Sequence, residues 1–310
     1  MISMNAIGSA GGAATYYTQE QAAIEYYAGE AVPSQWHGEG AEINGLSGAV
    51  KAEDLTRILE GKVKEVTKDA QGQEQTTEKQ LGRTVTDKDT GEVKNEHRAG
   101  WDMTFSAPKS VSIEAEVFGN KAVRQAHEAA VVETMKWLEK EGAMTRVNGK
   151  RVETGNLTFA TFGHATSREG DPQTHTHVLV ANVTYHEGKA YSLSNERLMQ
   201  LRTTADAVYK NSLAERLQEQ GHGLEYDGRG NFELKAYDKD ARDQFSKRSE
   251  QIKEALAEYG HIPENASYEA RQAATLATRQ EKGENHSESA EAHRDRWQAE
   301  AKSVGIERAE

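Results

Sequence analysis

Two neighbouring stretches, "NLTFATFGH" (156–164) and "THTHVLVANVTY" (174–185), constrain the fold more than anything else in the chain. Both read as strands, and only the polar loop "ATSREGDPQ" lies between them, so they are expected to form a hairpin in one sheet. "WDMTF" (101–105) alternates as a further strand, with Asp102 and Thr104 on the face opposite Trp101, Met103 and Phe105. Residues 120–142 have the spacing of an amphipathic helix, with Asn120 as its cap and Gly142 as its stop. A second long helix is expected from about Asn195 to Gln220, and shorter ones over 15–28 and 52–63. Residues 64–99 are polar and turn-rich, and "VTDKDTGEVK" predicts an exposed hairpin. "LEYDGRGNFEL" predicts another. "SAPKSVSIEAEVFGN" reads equally as a helix start or a strand. Strands in meander order with helices between them indicate an α+β fold around a mostly antiparallel sheet.

From Tyr237 onward the chain is expected to be helical and increasingly polar, with a partly mobile end. The expected division is therefore a core over 1–237 and a helical extension over 238–310. Among the 310 residues there is no cysteine, which removes disulfides, thiolate metal sites and a Cys nucleophile, and fits a reducing cytoplasm. No apolar run is long enough for a membrane helix, and the start lacks the pattern of a secretory signal. The net charge of −12 argues against a nucleic-acid partner. The charge is uneven, however: "RDQFSKRSEQIK" (242–253) carries four basic and two acidic side chains. A local basic surface remains compatible with an acidic chain.

The chemistry concentrates at His164, His175 and His177. His175 and His177 are two apart on a strand and share a face. If the hairpin loop centres between Glu169 and Gly170, His164 stands directly opposite His175, with Cβ atoms roughly 4.5–5.5 Å apart. Three imidazoles on one patch form a three-histidine metal site with positions open for substrate. Neutral ligands leave the ion its full charge, which suits an anionic oxygen such as a phosphodiester. Asp102 can accept an imidazole N–H and fix which ring nitrogen meets the metal, or act as a base.

A polarised phosphate still needs a nucleophile. Four of the eleven tyrosines stand in two doublets, Tyr16-Tyr17 and Tyr26-Tyr27. A free tyrosine is only roughly one part in a thousand ionised at pH 7, so a cation or base must activate it. Attack on a phosphodiester would leave a phosphotyrosine ester of similar energy to the bond broken, making strand cleavage reversible. On one continuous helix Tyr16 and Tyr27 share a face, while Tyr17 and Tyr26 face opposite sides. Two attacking hydroxyls would permit two successive transesterifications. Core packing or stacking on nucleobases are the other uses of such doublets.

"SAGGAATYY", the second "YY", "WDMTFSAPKSVS", "GHATSREGDPQTHTHVLVANVT" and "FSKRSEQI" together resemble the conjugative relaxases of the MobF class, within the HUH endonucleases. Order and spacing match over most of the chain. The resemblance implies a site- and strand-specific DNA transesterase that nicks a plasmid transfer origin, leaves a 5′-phosphotyrosine and a free 3′-OH, and later rejoins the strand. It maps Tyr16 onto the initiating nucleophile and Tyr26 onto the second, with Tyr17 and Tyr27 as neighbours or substitutes. The ten-residue step between doublets is longer than the family pattern, so helical geometry favours Tyr27 where family position favours Tyr26. His164, His175 and His177 map onto the metal ligands and Asp102 onto their supporting carboxylate. The cation is expected to be Mg²⁺ or Mn²⁺, although imidazoles also suit Zn²⁺, Ni²⁺ or Co²⁺.

The same resemblance implies helical fingers closing over single-stranded DNA, with Lys109, Arg168, Arg242, Lys247 and Arg248 as phosphate contacts and Trp101 stacking on bases. Expected partners are transfer-origin DNA as a hairpin plus single strand, relaxosome accessory proteins and a type IV secretion coupling protein. The expected setting is a monomer in the bacterial cytoplasm that can accompany DNA into a recipient. No Gly-x-x-x-x-Gly-Lys-[Ser/Thr] motif is present, which fits a fragment of a longer relaxase-helicase or a separate relaxase. The rival readings are a rolling-circle replication initiator, a three-histidine hydrolase or oxygenase acting on a small molecule, and a non-catalytic binder of a DNA hairpin.

Overall fold

The computed structural model describes residues 1–18, 34–68, 71–86, 91, 93–167, 169–278 and 289–309. Strand β1 (Ile2–Ala6) leads into helix α1, residues 10–18, followed after residue 34 by β2 (Gln35–His37) and α2 (Glu39–Ile43). Helix α3 (Ala52–Leu59) buries Leu55, Ile58 and Leu59, the stripe its spacing predicts. It ends earlier than expected, because Gly61 at φ +78° turns the chain and β3 (Lys62–Lys68) begins at once. A Cβ on Gly61 would stand 2.8 Å from the His97 ring, so no other residue fits this turn without displacement.

β3 pairs with β4 (Glu74–Gln80), and β5 (Arg83–Thr86) with β6 (Val93–Glu96), both antiparallel. The second pairing lies where "VTDKDTGEVK" predicts a hairpin. The first was not anticipated: most of its side chains are exposed, so no hydrophobic period marks it.

β7 (Gly100–Ser106) has the alternation expected of it, with Trp101, Met103 and Phe105 buried and Asp102 and Thr104 half-buried. Helix α4 (Lys109–Ser112) runs on as a π-helical turn, Ile113–Val117. Residues 110–117 are all buried, which explains their ambiguity: a segment enclosed on every side carries no face pattern. Helix α5 (Lys121–Gly142) lies where predicted, and is followed by a hairpin of β8 (Met144–Val147) and β9 (Lys150–Glu153). Then come β10 (Phe159–Thr166), β11 (Pro172–Ala181), the small pair β12 (Thr184–His186) and β13 (Lys189–Tyr191), and helix α6 (Glu196–Glu219). The expected hairpin around Asp227 is β14 (Leu224–Tyr226) with β15 (Phe232–Leu234). Helices α7 (Lys239–Gln244), α8 (Lys247–Glu258), α9 (Tyr268–Ala277) and α10 (Ala290–Ser303) complete the chain.

The principal sheet has the order β1-β7-β11-β10-β2. β7 pairs antiparallel with both β1 and β11, and β10 antiparallel with β2. The fold is thus α+β around a mostly antiparallel sheet, as the sequence indicates. One sheet face carries Trp101, Met103, Phe105, Val178 and Val180, and Phe105 meets Tyr209 of α6 edge-on at 5.5 Å. The other face joins a core containing Ala14, Tyr17, Phe162 and Leu179.

Two compact units are interleaved along the chain. One comprises Met1–Ser106, Glu128–Gly163 and His175–Leu213, the other Ala107–His127, His164–Thr174 and Ala214–Glu310. In the second, the π turn presents two buried carboxylates. Glu114 accepts from Tyr237 Oη and from Asn120 Nδ2 (2.7 Å), and Glu116 accepts from Arg124 (2.6 Å) and Thr174 Oγ1 (2.8 Å). Within the last thirty residues, Trp297 of α10 is 3% exposed and donates to Gly170 O at 2.8 Å.

Candidate active site

Helix α1 lies on the sheet face that bears Asp102, Thr104 and His177, and it brings Tyr17 there. β7–β11 pairing sets His177 opposite Thr104 and His175 opposite Ser106. Ala181 N donates to Thr158 O at 2.9 Å, a register that sets Phe162 opposite His177. The Tyr17 ring packs between them, 5.3 Å from Phe162 and 5.2 Å from His177. At the hairpin tip Ser167 N donates to Asp171 O at 2.9 Å and Gly170 N to Ser167 O at 3.0 Å.

Around this packing a polar cluster forms. His177 Nδ1 lies 3.0 and 2.9 Å from the two Asp102 oxygens and 3.2 Å from Thr104 Oγ1. The Tyr17 hydroxyl donates to Asp102 Oδ2 at 2.7 Å and stands 3.4 Å from His177 Nδ1. An ionised carboxylate can only accept, so Nδ1 carries the imidazole hydrogen and Nε2, on the ring's far edge, keeps its lone pair. This is the tautomer a metal-binding histidine needs. The His175 ring is 5.2 Å from that of His177, at 71°. His164 is half-buried on β10 and belongs to the second unit. Among the described residues no group of three or more His, Cys, Asp or Glu side chains forms a ready metal cage. What the first unit holds ready is an adjacent histidine pair with a carboxylate fixing one ring.

Tyr16 packs edge-on against Tyr17, with centroids 4.9 Å apart, and is 40% exposed where Tyr17 is 8% exposed. The doublet is thereby split, with one phenol against the carboxylate and the other at the surface. Tyr26, Tyr27 and Arg168 lie outside the described residues. Thr104 and Phe162 were not singled out from the sequence. For Thr104 the signal was its shared face with Asp102, whereas nothing local marked Phe162.

The expected DNA-contacting residues behave differently. Trp101 is 4% exposed on the opposite sheet face, because strand alternation points it away from Asp102, so stacking on a base is not open to it in this structure. Arg242 donates to Tyr237 O (2.6 Å) and Arg248 to Thr278 O (2.7 Å) and Thr275 O (2.9 Å). Lys247 bridges Glu300 at 3.3 Å and Asp171 at 3.6 Å. Lys109 donates to Pro172 O at 2.9 Å, and burial pushes its ammonium down to about 8 despite the opposing pull of Asp171 and Glu233. These four cations hold the second unit together through carbonyls and carboxylates.

Comparison with known proteins decides the family. The family model described as TrwC relaxase matches residues 10–304. The chain belongs to the TrwC relaxase family. This is the relaxase resemblance that the tyrosine doublets and histidines carry. Curated relatives include the multifunctional conjugation protein TraI of Escherichia coli, 35% identical over 320 residues that cover 99% of this chain and 16% of that protein. TraI of Escherichia coli strain K12 is 36% identical over 296 residues, covering 91% of this chain and 15% of that protein. The chain thus spans about a sixth of the length of the curated relatives it matches. Among solved structures, the conjugative relaxase TrwC in its metal-bound complex with oriT DNA has a TM-score of 0.81 at 36% identity, with 99% of each chain covered. TrwC with a 27-mer DNA comprising the recognition hairpin and the cleavage site has a TM-score of 0.77 at 36% identity, again with 99% of each chain covered. Among the described residues no helix of this TrwC relaxase-family chain is long and apolar enough to cross a membrane.

Proposed function

We propose that the chain is a conjugative relaxase domain that cuts one strand of plasmid transfer-origin DNA by transesterification. The observation that carries this reading is the Tyr17–Asp102–His177 cluster. It turns His177 Nε2 away from the carboxylate and leaves the exposed Tyr16 as the member of its doublet able to meet a phosphate. Tyr17 sits on the Nδ1 side of the ring, behind the edge at which a metal would bind, so it serves as a positioning residue and not as the nucleophile.

In the proposed reaction Tyr16 Oη attacks the scissile phosphorus and the bond from phosphorus to the 3′ oxygen breaks. The departing strand end becomes a 3′-OH, taking up a proton in place of the one the phenol gives up, and the 5′ phosphate stays esterified to Tyr16. A later attack by a 3′-OH, or by a tyrosine of the second doublet, reverses or transfers this bond. Tyr26 and Tyr27 remain the candidates for that second step. His175 and His177 would hold a divalent cation through ring nitrogens, with His164 as the third ligand. When bound, the ion supplies positive charge that polarises the phosphate and favours the phenolate. The donor set fits, since neutral imidazoles with one tautomer fixed by a carboxylate suit Mn²⁺, Co²⁺, Ni²⁺ or Zn²⁺, and less readily Mg²⁺. TrwC bound to metal and oriT DNA supports extending both to this chain. Accessory proteins of the relaxosome, a secretion coupling protein and a bacterial cytoplasmic setting follow from the same reading. Family membership weighs against a small-molecule hydrolase, which would leave both tyrosine doublets without a role.

The test is to incubate the protein with a labelled transfer-origin oligonucleotide and Mn²⁺, then denature. A DNA–protein adduct that disappears in Tyr16→Phe supports the proposal. A strand cut that leaves no adduct at any time identifies hydrolysis instead, and hairpin binding without cleavage in any metal identifies a binder.

A further inference from the structure

A second polar site lies in the first unit, at the opposite end of α1 from the tyrosines. A cavity of about 520 Å³ opens between the start of α1, the end of α3 and the approach to β7. Its polar lining includes Ser9, Glu60, Lys62, His97 and Arg98, against an apolar wall that includes Leu59. Three features mark it as built for an anion. His97 Nε2 is sealed from solvent yet has no hydrogen-bond partner, and its ring is held against Gly61, where a Cβ would collide with it. Unsatisfied buried polar atoms are few in native proteins and each one calls for an explanation. Arg98 is exposed and makes no hydrogen bond or ion pair among the described residues, unlike Lys109, Arg242, Lys247 and Arg248. The first turn of α1 also faces the cavity, with Ser9 Oγ capping Gly12 N at 3.1 Å, so the positive end of the helix adds to the two side chains. The one carboxylate in the lining, Glu60, is neutralised by Lys62 at 2.8 Å.

We propose that Arg98, His97 and the first turn of α1 form a phosphate-binding subsite that takes a backbone phosphate of the single-stranded DNA on which the active site acts. It rests on the reading of the chain as a DNA transesterase. A fork-shaped guanidinium with no hydrogen-bond or ion-pair partner among the described residues matches phosphate oxygens, and the His97 ring forms part of the wall beside it. A phosphate gripped at one end of α1 ties the DNA to the helix that carries Tyr16 and Tyr17 at its other end. The subsite therefore bears on strand positioning and not on bond breaking.

The experiment measures affinity for a fluorescein-labelled single-stranded transfer-origin oligonucleotide across a salt series, for the full chain and for Arg98→Ala, His97→Gln and the surface control Lys140→Ala. Losing one phosphate contact lowers the slope of log affinity against log salt by about 0.7. Arg98→Ala should show that change with about a tenfold loss of affinity, His97→Gln a smaller loss, and Lys140→Ala neither. With saturating DNA and metal, Arg98→Ala should still form the Tyr16 adduct, as a residue that grips the strand without breaking the bond requires. An unchanged slope in Arg98→Ala, or an equal change in Lys140→Ala, overturns the proposal. A parallel titration with inorganic phosphate, followed by the His97 imidazole NMR signal, separates the sources: a shift with phosphate but no DNA effect in Arg98→Ala assigns the cavity to a free anion and overturns the DNA assignment. If wild-type protein forms no adduct at all, the transesterase reading fails while the binding data still decide whether the cavity holds phosphate.

Discussion

Tyr17 and His177 converge on a single carboxylate: the phenol donates to Asp102 Oδ2 at 2.7 Å, and the imidazole Nδ1 lies 2.9 Å from the same oxygen. The second tyrosine of the doublet thus shares its acceptor with a histidine, and the proposed reaction assigns the nucleophile to the first.

This division separates the two phenols experimentally. Tyr16→Phe should abolish the covalent adduct with Tyr17 intact. Tyr17→Phe should keep it, while losing a hydrogen bond to a charged group worth about 1.5–3 kcal/mol. Because that bond acts through Asp102, the deficit should appear as a roughly tenfold or greater rise in the Mn²⁺ concentration needed for cleavage and vanish at saturating Mn²⁺. A Tyr17→Phe protein without adduct at any metal concentration would reverse the assignment.

Asp102→Asn keeps the shape of the side chain but offers an amide where His177 Nδ1–H meets an acceptor. Losing such an outer partner of a metal-binding histidine costs about 10–100-fold in metal affinity. Titration with Mn²⁺ followed by calorimetry should show that loss, with oligonucleotide affinity in the absence of metal unchanged.

His175→Ala should eliminate cleavage while leaving DNA affinity within a few-fold of wild type, as measured by fluorescence anisotropy. Parallel loss of binding and cleavage would mean that His175 contacts DNA and not a cation.

Lys109 gives the chain a distinctive alkaline stability profile. Burial pushes its folded-state ammonium down to about 8 from an ordinary 10.5. Between those values the unfolded chain binds more protons than the folded one, so stability rises with pH through the window, and the cost of the buried charge is fully present below about 8. Urea unfolding of wild type and Lys109→Met should show the wild type gaining stability relative to the variant between pH 8 and 10.5. Parallel profiles would show that Lys109 is not desolvated in solution.

Glu114 is fully buried on the π turn and accepts from Tyr237 Oη and Asn120 Nδ2. Glu114→Ala leaves both donors without their acceptor, at about 1–3 kcal/mol each. Thermal or urea unfolding should report a loss of at least one such increment, and Glu114→Gln, which keeps an acceptor oxygen, should recover part of it.

The sequence alone determined whatever depends on local direction along the chain. Period-two alternation set Asp102 and Thr104 against Trp101, Met103 and Phe105, and it set His175 and His177 on one face. Helical periodicity located α5 and α6, and turn chemistry located the β5–β6 and β14–β15 hairpins. Tertiary structure decided which chemical groups meet. Tyr17 reaches Asp102 across 85 positions of chain and His177 across 160, and no local pattern says which phenol of a doublet faces inward. Nor could it say that Arg242, Lys247 and Arg248 spend their charge on protein oxygens while Arg98 has no such partner among the described residues. Local sterics and periodicity fix where a side chain points from its own backbone, but its partner is fixed only when distant elements pack and each buried polar group must find an acceptor or a donor.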